Sequence, residues 1–96
     1  MEVTVRVSRG ALSEIVGRSD VTIHCENPVR VIDVLNILAE KFGKTFRDYV
    51  FDAKTGEVKK YLILALNGIN VSSMKGTETQ IDDRSELLML TATGGG

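Results

Sequence analysis

Val31-Ile32-Asp33-Val34-Leu35-Asn36-Ile37-Leu38-Ala39-Glu40-Lys41-Phe42, followed by Gly43, is the one stretch that reads as a long helix. Val31, Val34, Leu35, Leu38 and Phe42 fall at i, i+3, i+4, i+7 and i+11, a single apolar stripe for one buried face. Glu40 and Lys41 lie off that stripe, and Gly43 supplies a stop. Ile32 and Ile37 flank it, either as further core or as mild apolar surface. Asn27-Pro28 predicts the helix start, since Asn caps well and Pro suits a first turn whose N–H groups have no partner.

Outward from the helix the apolar period drops to two. Residues 2–8 alternate with Val3, Val5 and Val7 on one face, and residues 20–25 alternate with Val21, Ile23 and Cys25 inward and Thr22, His24 and Glu26 outward. Between them, Ala11 to Val16 fits a short helical turn closed by Gly17, so the two strands read as an antiparallel hairpin with a wide loop. Beyond the helix, residues 44–60 form a polar excursion with a second helical turn around Phe46 to Val50 and turn chemistry at Asp52-Ala53-Lys54-Thr55-Gly56. Tyr61 to Leu66 is a strand, Asn67-Gly68 a turn dipeptide leading to a short return strand, and residues 72–83 are irregular. A turn at Asp82-Asp83-Arg84-Ser85 then opens the last strand, Glu86 to Thr91. A helix between strands of one sheet suits a crossover, and the other links suit hairpins. The expected fold is therefore α+β, a β-grasp domain: a mixed sheet of four to five strands with one main helix on one face.

One helix covers one face of a sheet, and strand parity identifies the other. Leu62, Leu64 and Leu66 make a better core than Tyr61, Ile63 and Ala65, and an outward Glu86 sends Leu87 and Met89 inward. The uncovered face then carries Ile63, Ala65, Leu88 and Leu90, an apolar patch of the kind that marks a binding surface. In the alternative, the 44–60 excursion folds over and covers it.

Composition narrows the function. The 96 residues suffice for one domain with one modest core. A net charge of −1 and 5% aromatic residues argue against nucleic acid as a partner. No segment is apolar enough to span a membrane, and the start of the chain is not a signal peptide. The lone Cys25 excludes an internal disulfide and suits a reducing cytoplasm. It reads as an ordinary buried strand residue. His24 and Cys25 are neighbours on a strand and point to opposite faces, so they cannot form a nucleophile–base pair. No metal site is expected, and the chain is read as a carrier or co-substrate without catalytic groups of its own.

What stands out instead is the end. Thr91-Ala92-Thr93-Gly94-Gly95-Gly96 follows the apolar strand without a linker. Glycines pack nothing and add no width, so such a tail is either a frayed or vector-derived end or is shaped to enter a narrow active site. Residues 1–92 are assigned to the domain and 93–96 to a flexible tail. Extended, Thr91 to Gly96 would reach on the order of 20 Å.

These residues together resemble the ubiquitin-like sulfur carriers, most closely the small subunit of molybdopterin synthase (MoaD-like), with the thiamine carrier ThiS more distant. Val31-Ile32-Asp33-Val34-Leu35 with Leu38-Ala39-Glu40-Lys41-Phe42 is similar to the family's helix. Leu66-Asn67-Gly68-Ile69-Asn70-Val71 resembles its strand–turn–strand element, Thr79 to Leu87 its approach to the last strand, and Gly95-Gly96 its terminal pair. The chain departs from the pattern at Arg84, where the family usually has a turn glycine, at Ser85, where it has Asp, and in lacking proline before the tail.

The resemblance implies a carrier whose Gly96 carboxylate is adenylated and converted to a thiocarboxylate. Gly94 and Gly95 would thread the partner's channel. An activating adenylyltransferase of the MoeB/ThiF type would use ATP, with no cofactor bound by the carrier itself. Ile63, Ala65, Leu88 and Leu90 would dock the body, with Arg84 and Lys75 as rim charges. The sulfur would pass to the large subunit of molybdopterin synthase or to another acceptor enzyme, in thiamine synthesis or tRNA thiolation for example. Two alternatives stay open: a ubiquitin-like modifier joined through Gly96 to target lysines, and a plain β-grasp interaction module with an inert tail.

Overall fold

Alternation of period two makes β1 (Glu2–Val7) a strand with one buried side. Val3 and Val5 are wholly buried while Glu2 and Arg6 face solvent. The computed structural model describes residues 1–26 and 29–91. Gly17, at φ +83°, ends α1 (Ala11–Val16) and returns the chain as β2 (Asp20–His24), antiparallel to β1 from Glu2↔His24 to Arg6↔Asp20. The wide hairpin expected from the sequence is present. β4 (Leu62–Leu66) and β5 (Ile69–Asn70) form a second hairpin around Asn67-Gly68, whose φ values of +50° and +86° are those of a two-residue turn matched to strand twist.

The last strand, β7 (Ser85–Thr91), enters between the hairpins, parallel to β1 and antiparallel to β4. The sheet order is β2-β1-β7-β4-β5, a mixed five-stranded sheet with β7 at its centre. This is the expected β-grasp, ubiquitin-like architecture.

Helix α2 (Val31–Phe42) lays its stripe on the sheet: Val31, Val34, Leu35, Leu38 and Ala39 are buried, and Ile32 and Ile37 flank the core half-buried. Full burial of each of the larger side chains contributes about 1.5–3 kcal/mol. The helix does not begin at Asn27-Pro28, which lie outside the described residues. Val29–Arg30 instead forms a short strand, β3, paired antiparallel with β6 (Gln80–Ile81). The cap comes from inside the helix. Asp33, at its third position, accepts the Arg30 backbone N–H at 2.8 Å, and the Arg30 guanidinium donates to Asp33 and, at 2.7 Å, to Glu78. Those bonds, the Arg30 side chain first, hold the Asp33 carboxyl below its usual range.

The 44–60 excursion does not fold over the open face with its helix. It begins with α3 (Lys44–Val50), whose Phe46 and Val50, one turn apart, are wholly buried on the α1 and α2 side. Phe42 completes this contact with its ring 6.1 Å from that of Phe46, and so is half-buried at the helix end rather than in the sheet core. Cys25 lies just past β2 and is likewise half-buried against the core. Among the described residues, no helix is long and apolar enough to cross a membrane.

Candidate functional site

The parity argument for β4 and β7 holds. Leu87 and Met89 are wholly buried under α2, and Leu64 and Leu66 join them, while Ile63, Ala65, Leu88 and Leu90 point the other way. Register turns these four into two cross-strand pairs, Ile63↔Leu90 and Ala65↔Leu88. They form one contiguous patch across the two central strands. Each is half-buried rather than fully exposed, because each side chain covers its neighbour and Arg6 of β1 stands directly opposite Leu88.

Sequence reasoning missed the charged border of this patch. Arg6 donates from Nε to the Glu86 carboxylate at 2.7 Å, with both side chains about half exposed. Its signal in the sequence is the parity of Arg6, which falls on the outward side of β1 opposite the inward valines. A surface pair like this is worth at most about 1 kcal/mol. It fixes where the Arg6 charge sits beside Leu88.

Arg84 is not beside the patch. It occupies the turn before β7, at the opposite end of the strand from Thr91, on the order of 20 Å away along the backbone. There it adopts φ +62°, its N–H donates to the Glu2 carbonyl at 2.7 Å, and Asp83 Oδ1 accepts the Glu2 N–H at 2.7 Å. That backbone hydrogen bond is the main reason the Asp83 carboxyl titrates below its usual range. Asn67 clasps the same end of β7. Its N–H donates to the Glu86 carbonyl at 2.8 Å and its Oδ1 accepts the Glu86 N–H at 2.9 Å. Lys75 lies in the loop before a 3-10 turn (Gly76–Glu78) that packs against α2.

At the other end, β7 is paired with β1 only as far as Met89, whose carbonyl accepts the Ser8 N–H. Leu90 and Thr91 remain paired with β4, as Ile63↔Leu90 and Leu62↔Thr91. Gly94, Gly95 and Gly96, assigned to threading and activation, lie outside the described residues. The segment leading to them starts from a strand whose inward side chains are wholly buried. A shallow cavity of about 510 Å³ between α2, α3 and the 52–56 turn, bordered by Ile32, Arg47 and Phe51, includes none of the predicted site residues.

A family model described as the ThiS family matches residues 9–96, nearly the whole chain. The chain belongs to the ThiS family. It is thus one of the ubiquitin-like sulfur carriers and modifiers, a group of small carrier proteins. No curated protein matches the sequence significantly. Solved structures do. The solution structure of small archaeal modifier protein 1 (SAMP1) from Methanosarcina acetivorans is 27% identical, with a TM-score of 0.82 over 99% of this chain and 96% of that one. The crystal structure of SAMP1 from Haloferax volcanii is 19% identical, with a TM-score of 0.84 over the full length of both. A putative molybdopterin converting factor subunit 1 from Pyrococcus furiosus is 17% identical, with a TM-score of 0.74 over 97% of this chain and 99% of that one. At 19% and 17% identity the last two speak for the shared fold. This ThiS-family chain shares its overall fold with all three.

Proposed function

We propose that this chain is a sulfur carrier whose reactive group is the Gly96 carboxylate. The ThiS-family match carries this reading, because it runs through Gly94-Gly95-Gly96 on a fold whose last strand delivers that segment. A carboxylate is a poor electrophile. An activating adenylyltransferase of the MoeB/ThiF type would let it attack the α-phosphorus of ATP, releasing pyrophosphate and leaving an acyl adenylate. A sulfur nucleophile then attacks the carbonyl carbon and expels AMP. Where that nucleophile is a persulfide, a thiol must next cleave the S–S bond to free the thiocarboxylate. Gly94 and Gly95 keep the tail narrow enough for a channel, and the Ile63/Ala65/Leu88/Leu90 patch docks the body.

The acceptor we favour is the large subunit of molybdopterin synthase, on the strength of the helix and turn motifs in the sequence, and the setting we favour is the cytoplasm. A second reading has its own support: the 27% identity to a small archaeal modifier protein favours ligation of the same activated Gly96 to lysines. The chemistry is shared up to the final nucleophile. Intact mass after incubation with ATP, the activating enzyme and a sulfur donor tests both. The carrier gains one sulfur for one oxygen, whereas a modifier yields larger adducts with target proteins. Deletion of Gly95-Gly96 should leave the fold intact and abolish both products. Pyrophosphate release that persists without those two residues would sink the proposal.

A further inference from the structure

The sheet has two edges. Among the described residues, one is β5, only two residues long, and the other is β2, five residues long and paired only with β1. Hydrogen bonds on either side of the hairpin set the phase of β2: the Val7 N–H donates to the Ser19 carbonyl and the Cys25 N–H to the Met1 carbonyl, both at 2.9 Å. In an antiparallel ladder alternate residues bond to the same neighbour. Ser19, Val21, Ile23 and Cys25 therefore turn their backbone groups toward β1. Asp20, Thr22 and His24 turn theirs outward, and their side chains are exposed on the open face. Exposed edges are commonly blunted by lysine, proline or a bulge. β2 contains no lysine or proline, and its register with β1 runs unbroken over all five residues.

We propose that β2 pairs with β2 of a second copy, antiparallel about Thr22, to give a two-fold dimer with one continuous sheet. That register brings together the three residues whose backbone groups face away from β1. Thr22 faces Thr22 of the other copy, and Asp20 faces His24 of the other copy in two symmetric places. The charges fit as well. Within one copy His24 stands opposite Glu2, with Nδ1 4.0 Å from the carboxylate, and Asp20 stands opposite Arg6. Across the interface each outer row then reads Glu2, His24, Asp20, Arg6, alternating in sign when His24 is protonated. A neutral imidazole still donates an N–H to the facing carboxylate. With a net charge of only −1 per chain, the two copies repel each other little. The two-fold axis is normal to the sheet, so the helices of both copies share one side. The Ile63/Leu88 patch, on strands inside β1, stays free for a partner.

About six backbone hydrogen bonds form, but a single strand edge buries less than the ~1,200 Å² of a stable interface. The dimer is therefore weak and concentration-dependent. Sedimentation velocity and amide hydrogen exchange on the full chain at about 20 µM and about 1 mM, a range that brackets weak association, test it. The expected result is a rising sedimentation coefficient with new protection at Asp20, Thr22 and His24. A monomer at the higher concentration, or protection gained at Leu88 and Leu90 instead, overturns the proposal. Thr22→Pro removes the central outward donor without touching the β1 ladder and should weaken association at least about tenfold. Unchanged association refutes it. Should that variant fail to fold, the charge swap decides: Asp20→Lys weakens the dimer several-fold and adding His24→Glu restores it, whereas a double variant no tighter than the single one refutes the register. None of these readouts involves Gly96, so they stand or fall apart from the sulfur-carrier reading.

Discussion

Replacing Arg84 with glycine should stabilise the protein. The residue sits at φ +62° in the turn that feeds β7, a conformation that costs an L-amino acid roughly 1–2 kcal/mol because Cβ approaches the following carbonyl oxygen. Glycine escapes that cost but gives the unfolded chain more freedom, which offsets about 0.4–1 kcal/mol. Both bonds that hold the turn survive the change, since the Arg84 N–H to the Glu2 carbonyl is backbone and the other acceptor belongs to Asp83. Among the described residues the guanidinium has no ion-pair partner, so little is lost with it. The net gain is about 0.5–1 kcal/mol, equivalent to a rise in Tm of roughly 2–8 °C for a domain of this size. Arg84→Ala is the control, because alanine keeps the positive φ and should stay within about 0.5 kcal/mol of wild type. Calorimetry and urea denaturation of the three proteins separate the cases. A glycine variant no more stable than the alanine variant refutes the strain argument. If the guanidinium touches the activating enzyme, both variants lose affinity equally. A loss confined to glycine would instead place the effect in the turn backbone.

Asn67→Ala removes the acceptor of the Glu86 N–H and leaves a Cβ residue at φ +50° without a compensating side-chain bond, so it should cost about 1–3 kcal/mol by urea denaturation with the m-value unchanged. Leu35→Ala empties a wholly buried site between α2 and the sheet; a loss of about 2–5 kcal/mol is expected, a large share of the ~5–15 kcal/mol typical of a domain. For pH, folding lowers the Asp83 carboxyl below its usual 3.8, chiefly through the Glu2 N–H. Its stabilising contribution is therefore complete above about pH 4 and fades as pH falls through the lowered value. Thermal melts across that window should show a shallower acid loss in Asp83→Asn than in wild type, and parallel curves would rule the linkage out.

Long, strongly periodic elements were legible from the residues, because one buried face imposes a period that side chains must obey. The α2 stripe, the β1 and β2 alternation and the Leu62/Leu64/Leu66 parity each place a named side chain on the side where the structure has it. The start of α2 was misplaced because Asn27-Pro28 is a sound local cap signal, yet tertiary pairing of Val29–Arg30 with Gln80–Ile81 takes those two residues into a strand. Two-residue strands have no period to read. The contribution of Phe46 and Val50 to the core was only half visible, since an i, i+4 pair in a polar stretch does not say which side of the sheet it will reach. Arg84, expected as a rim charge, lies four residues before Leu88, in the turn that opens β7. Along a strand, four residues separate side chains by on the order of 13 Å.

The central position of β7 also bears on how far its end can reach. Strand pairing with β1 stops at Met89, while pairing with β4 continues through Leu90 to Thr91. Peeling Leu90 and Thr91 from β4 would carry the chain beyond them about 7 Å further from the sheet and break the pairing with β4 alone. Leu87 and Met89, wholly buried and flanked by strands on both sides, would stay in place. Opening beyond Met89 would uncover the core beneath α2 and approach the cost of global unfolding. The sheet thus sets a two-step limit, a low-cost extension of two residues and then a hard stop. Leu90 stands at that boundary while also pairing with Ile63 in the apolar patch. On the proposed docking mode, a partner that covers the patch would also hold Leu90 in the sheet, so that docking the body and fixing the length of the tail would be one event.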